Sequence, residues 1–158
     1  MIQRCRVQAS DGNINHQSVF FIAFMSYLLL KSDPETYSLN DLERDKKTVW
    51  DGVSNPLALK HIRSMKKGDL AFVYHSGEEK TIVGIAEILS DPYPDPKKKD
   101  QRLAVVEIKF KERLKQPVSL AAIKARKEFT DFALVRMSRL SVMPVAATQW
   151  KSLLAMSH

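Results

Sequence analysis

Asp69-Leu70-Ala71-Phe72-Val73-Tyr74-His75, then Ser76-Gly77-Glu78-Glu79-Lys80, then Thr81-Ile82-Val83-Gly84-Ile85-Ala86-Glu87-Ile88-Leu89 is the stretch on which the fold turns. Two runs rich in β-branched and aromatic residues flank a polar, glycine-containing connection, which predicts strand, turn and strand. A period of two over both runs puts Gly84 and Ala86 on one side of the second strand. They leave a shallow place where a ligand or another backbone can approach. Tyr74-His75-Ser76 ends the first strand with three hydrogen-bonding side chains, a pattern met beside pockets and equally at the edge of a core.

Upstream, Tyr27 to Lys31 predicts a strand closed by Asp33-Pro34, and Ser38 with Asp41 three residues on predicts a capped helix over Leu39 to Glu43. Arg44 to Thr48 reads as a polar link into an aromatic loop, Val49-Trp50-Asp51-Gly52-Val53. A helix follows with Asn55 as N-cap, Pro56 at its first position and Gly68 closing it; Lys60, Arg63, Lys66 and Lys67 suit the negative end of its dipole. Downstream come a proline-rich then basic loop (Asp91 to Asp100), a strand over Leu103 to Phe110 and a Ser119-capped helix near Leu120 to Lys127. Arg136 to Val145 reads as extended, and Thr148 as the cap of a closing helix that carries Trp150 and Leu154. The sum is a mixed α+β domain dominated by antiparallel strands, a small curled sheet or β-barrel with short flanking helices.

The chain has 158 residues, 44% hydrophobic and 27% charged, which suits one folded domain. Lysine and arginine outnumber acids by 25 to 18, a net charge of +7 that favours polyanionic partners. The lone cysteine, Cys5, excludes an internal disulfide and a cysteine-rich zinc site and points to a reducing compartment, the cytoplasm. The apolar run Val19 to Leu30 is shorter than the roughly 20 residues of a membrane-spanning helix, and its long polar leader is unlike a signal peptide. A buried strand and no membrane partner are therefore expected. Residues 1–24 read as an N-terminal extension, with Met25 as an alternative start and the domain over 25–158.

No phosphate-binding or dinucleotide fingerprint occurs. His16, His61, His75 and His158 have no metal-ligand spacing, and no motif asks for a cofactor. Glu87 and Glu107 would form a carboxylate pair as cross-strand neighbours; ordinary solvent-facing glutamates are the simpler account. Trp50 offers a flat ring either to a base or to the core. Lys31-Ser32 and Ser138-Arg139-Leu140-Ser141 put cations and hydroxyls at strand ends, and Lys97-Lys98-Lys99 could grip phosphates. Polar clusters at strand ends, without catalytic spacing, favour a binding pocket.

The ordered motifs Leu29-Leu30-Lys31-Ser32-Asp33-Pro34-Glu35-Thr36-Tyr37-Ser38, Trp50-Asp51-Gly52-Val53, Gly68-Asp69-Leu70, Tyr74-His75-Ser76, Gly84-Ile85-Ala86-Glu87, Tyr93-Pro94-Asp95-Pro96 and Ser138 to Val145 resemble the EVE domain of the PUA-like superfamily. The resemblance runs from about Ser26 to the C-terminus. It implies a PUA-like β-barrel that binds nucleic acid, DNA or RNA, holding a modified base in a pocket without catalysis. Carried over, the implied pocket is Lys31, Ser32, Trp50, Asn55, Tyr74, His75, Ser76, Ser138 and Arg139. The chain departs from the family tract WDGVRNYQAR, having Ser54, Pro56 and Leu59 where the family has arginine, tyrosine and arginine. Two rivals stand beside this reading. One is a hydrolase of modified nucleosides with Lys31 and Glu87 as the reacting pair; the other is a protein-interaction adaptor.

Overall fold

The computed structural model describes residues 25–158. Seven strands are formed: β1 (Tyr27–Ser32), β2 (Lys47–Trp50), β3 (Leu70–His75), β4 (Thr81–Ile88), β5 (Tyr93–Pro94), β6 (Ala104–Ser119) and β7 (Val142–Val145). Five short helices accompany them: α1 (Leu39–Asp45), α2 (Pro56–Arg63), α3 (Leu120–Lys124), α4 (Ala133–Arg136) and α5 (Ala147–Met156). The strand order is β2-β6-β4-β3-β1-β7, with β5 paired to β6 off that path. β1 and β3 run parallel, and the other pairings are antiparallel.

The β3–β4 hairpin forms as expected, with Leu70 opposite Glu87 and His75 opposite Thr81. Gly77 sits in its turn at φ 74°, where a side chain would be strained. Burial along β3 does not alternate, because Ala71 to His75 are all buried. A central strand is covered on both faces, and a continuous apolar run is its signature. The groove at Gly84 is already occupied: a Cβ there would lie 2.7 Å from a methyl of Leu39 and 2.9 Å from the Glu112 carbonyl oxygen. Leu39 of α1, not a ligand, fills the space.

The expected barrel is not closed. β2 and β7 stand at opposite ends of the strand order, each four residues long, and do not pair. Asn55 Oδ1 accepts hydrogen bonds from the Leu57 and Ala58 amides at 2.9 and 3.1 Å, and Pro56 follows at the first helical position. The chain therefore turns into α2 soon after β2, and α2 packs against both β6 and β7. A helix lies where strand pairing would have closed the sheet.

Several boundaries move. The polar link before Trp50 is strand β2, so Trp50 ends a strand and is not a loop residue. β6 is 16 residues long, twice the expected length. Its second half lies past the expected end at Phe110, carries exposed Glu112, Arg113 and Lys115, and is held by β4 through two register shifts. Ser138 and Arg139 lie in a turn before β7, not in a strand. α2 ends at Arg63 with Ser64 as its C-cap, before Gly68, and α5 is entered at Ala146, whose amide donates to Gln149 Oε1 at 3.1 Å; Thr148 is inside the helix. On the sheet, Trp150 of α5 stacks on Phe72 and Tyr27 at 3.9 and 4.5 Å between ring centroids. Among the described residues no helix is long and apolar enough to cross a membrane; residues 1–24, and with them Cys5 and His16, lie outside the described part.

Candidate functional site

The ends of β1 and β2 frame a cleft of about 560 Å³, lined by Lys31, Ser32, Tyr37, Trp50, Lys97 and Ser141 and by neighbouring loop residues. That volume lies within the roughly 300–1,000 Å³ common for ligand sites. Trp50 is 9% exposed, so its indole belongs to the core and shows only a margin to the cleft. Val49 beside it is 40% exposed and adds an apolar lip.

Lys31 is held by three contacts. Its Nζ donates to the Ser138 carbonyl at 2.8 Å and lies 5.7 Å from the centre of the Tyr74 ring, while its backbone amide donates to the Ser141 carbonyl at 2.9 Å. Burial pushes its ammonium below the ordinary lysine value. The Ser32 hydroxyl donates to the Tyr37 carbonyl at 2.5 Å, which leaves an oxygen lone pair free to accept. The Tyr37 hydroxyl donates to Asp45 at 2.9 Å; burial first, and then this bond, raise its pKa and keep it a neutral donor. Lys97 reaches the rim, 3.9 Å from an Asp51 carboxylate oxygen. Both groups are well exposed, so the pair is weak and Lys97 is available to a stronger anion. Its loop is set by buried Asp95, which accepts from the Lys97 amide at 2.9 Å.

The other expected site residues divide. Asn55, Ser138 and Arg139 line a second hollow of about 380 Å³, with Leu57, Arg136 and Met137. The Lys31–Ser138 hydrogen bond joins it to the first. Tyr74 lies beneath Lys31, 3% exposed. His75 faces away from the cleft: its Nε2 accepts from the Leu39 amide at 3.0 Å and its Nδ1 meets Glu79 at 2.7 Å. An amide can only donate, so the ring is a neutral Nδ1–H tautomer whose work is to tie α1 to β3. Ser76 donates to the Ser32 carbonyl and borders an acidic hollow with Glu78 and Glu79. The structure thus gathers Lys31, Ser32 and Trp50 in one cleft and gives His75 and Ser76 structural partners.

Thr36 and Thr48 line the cleft beside Tyr37, and the sequence reading of the site includes none of the three. Tyr37 stands within the Lys31-to-Ser38 motif and could have been found there. Thr48 sat in a strand read as a link. Of the departures from the family tract, Leu59 is buried and Pro56 opens α2, so both have uses in the fold.

The proposed Lys31–Glu87 pair is not assembled. Leu70 is opposite both Tyr27 and Glu87, whereas Lys31 is opposite Tyr74, four residues further along. Strand spacing puts the two backbones roughly 13 Å apart along the strand and about 10 Å apart across it. Glu87 instead meets Lys109 and Lys111 at 3.8 and 3.9 Å, and its partner across β4–β6 is Lys109, not Glu107. Among the described residues no three His, Cys, Asp or Glu side chains are grouped to hold a metal.

Residues 26–156 match the EVE domain family. Human thymocyte nuclear protein 1 is 28% identical over 84% of this chain and 74% of its own length. The solved structure of Rpa0253 from Rhodopseudomonas palustris is 44% identical, covering 84% of this chain and 93% of that one with a TM-score of 0.80. The human THYN1 protein, solved in complex with DNA containing 5-methylcytosine, is 28% identical with a TM-score of 0.79, covering 84% of this chain and 98% of that one. The chain belongs to the EVE domain family.

Proposed function

We propose that this protein binds DNA without catalysing a reaction on it and takes one modified base, of the 5-methylcytosine kind, into the cleft at the ends of β1 and β2. One observation carries the reading: the cleft joins aromatic edges, a hydroxyl lone pair and a partly buried ammonium in a space that suits a single nucleotide. The THYN1 complex supports the same choice of ligand. A base drawn from the duplex would lie against Trp50 and Tyr37. Ser32 Oγ would accept from the exocyclic amine of cytosine, and Lys31 and Lys97 would meet phosphate oxygens. Val49 and Val53 give the 5-methyl group an apolar seat.

Burying one methyl is worth about 0.8 kcal/mol, or roughly a fourfold preference over unmodified cytosine. Fluorescence anisotropy with duplexes that differ only in one 5-methylcytosine tests this. A preference of about fourfold or more that shrinks in Trp50→Phe is expected. Equal affinity for both duplexes overturns the proposal.

A further inference from the structure

Four large apolar side chains are exposed among the described residues: Met25, Val49, Leu57 and Met137. Val49 lines the first cleft, and Leu57 and Met137 line the adjoining hollow together. Met137, 44% exposed, sits on the turn between α4 and β7 with Arg136 and Arg139 on either side. Arg139 is exposed and has no acidic partner among the described residues, while Arg136 pairs with Asp131 at 3.0 Å in a well-exposed contact that a phosphate can displace. An unbranched thioether fills irregular gaps well, and a base taken out of a duplex leaves such a gap between its neighbours. A membrane or acidic peptide would also meet the arginines, but neither offers a vacancy of that shape beside a base pocket.

We propose that the hollow between α2 and the Arg136–Leu140 turn is the seat of the duplex flanking the extracted base, with Met137 filling the vacated place in the stack and Arg139 holding a phosphate. This deepens the reading of the first cleft and rests on it. Continuity supports it: Lys31 lines the first cleft and donates to Ser138 in the second, so one strand passing from base pocket to turn meets both. The occupant is double-stranded DNA, because a single strand has no stack to restore.

The test uses the whole chain and two probes, a duplex and a single strand, each with one 5-methylcytosine. Met137→Ala should weaken duplex binding about tenfold and leave the single strand unchanged. Arg139→Ala should weaken both and reduce the slope of log affinity against log salt by about 1. Both side chains are exposed, so unchanged thermal unfolding is expected. Met137→Ala that weakens neither probe, or weakens both equally, overturns the wedge. If the methyl preference is absent from the unsubstituted protein, it is the first cleft that fails, a different result from either.

Discussion

Lys31 carries a charge that burial disfavours, and this sets two pH dependences of opposite sign. The folded pKa lies below the unfolded one, so between the two values the unfolded chain holds more protons and stability rises with pH. If Lys31 meets phosphate as proposed, DNA affinity should move the other way, because the neutral amine loses its attraction to phosphate as pH climbs through the lowered value. Titrating affinity toward alkaline pH in the protein and in Lys31→Gln should show a fall in the first that the second lacks. Parallel profiles would remove Lys31 from the interface. Trp50 needs gentler treatment than deletion. At 9% exposure its loss to alanine costs roughly 3–5 kcal/mol, so failed binding in that variant would report unfolding as readily as lost stacking. Trp150→Phe leaves Trp50 as the one indole in the chain, and its emission should change when a methylated duplex binds; unaltered emission at saturation would argue against contact with the base. Gly84→Ala probes the core: a Cβ 2.9 Å from a backbone oxygen forces a shift costing about 1–3 kcal/mol, visible as a lower denaturation midpoint.

At the scale of elements, α1 is the piece whose placement the cleft depends on. Ser38 and Asp41 form a reciprocal cap at its start, and His75 supplies a partner for the Leu39 amide. Leu39 fills the gap over Gly84, and Tyr37 enters the cleft just ahead of the helix. His75→Ala should therefore cost about 1–3 kcal/mol of stability, because a buried amide loses its acceptor. Glu79→Ala, removing a half-exposed partner, should cost much less in the same thermal unfolding experiment. Normal stability in His75→Ala with abolished binding would return the imidazole to a ligand role. This dependence shows what was legible beforehand. The hairpin, the Ser38 and Asn55 caps and the Ser119 cap follow from local chemistry and were readable. Gly84 marks a place of close approach within the strand pattern, yet only three-dimensional packing names Leu39 as its occupant. β2 and the far half of β6 escaped because exposed, charged strand residues owe their conformation to neighbours distant in sequence. The cleft was legible in part: Lys31, Ser32 and Trp50 carry a family motif, whereas the outward turn of His75 is a matter of tertiary hydrogen bonding.

Across the whole molecule the charge surplus of +7 gains direction from the fold. The sequence shows excess lysine and arginine but not which ones converge. Lys109 and Lys111 are engaged with Glu87, and Arg113 with Asn40 and Glu43, so much of the β6 charge is already matched. Lys31, Lys97, Arg136 and Arg139 instead border two adjoining concavities. If those four make the phosphate contacts, log affinity should fall against log salt with a slope of about −3.6, at roughly 0.9 per contact. The methyl preference, which rests on apolar burial, should stay constant across the same range. Anisotropy titrations on methylated and unmodified duplexes from low to physiological salt measure both quantities together. A slope near −7 would mean about eight contacts at the same 0.9 each, twice the four named, and so a wider basic surface against the DNA. A preference that decays with salt would mean that charge, not the cleft, selects the base.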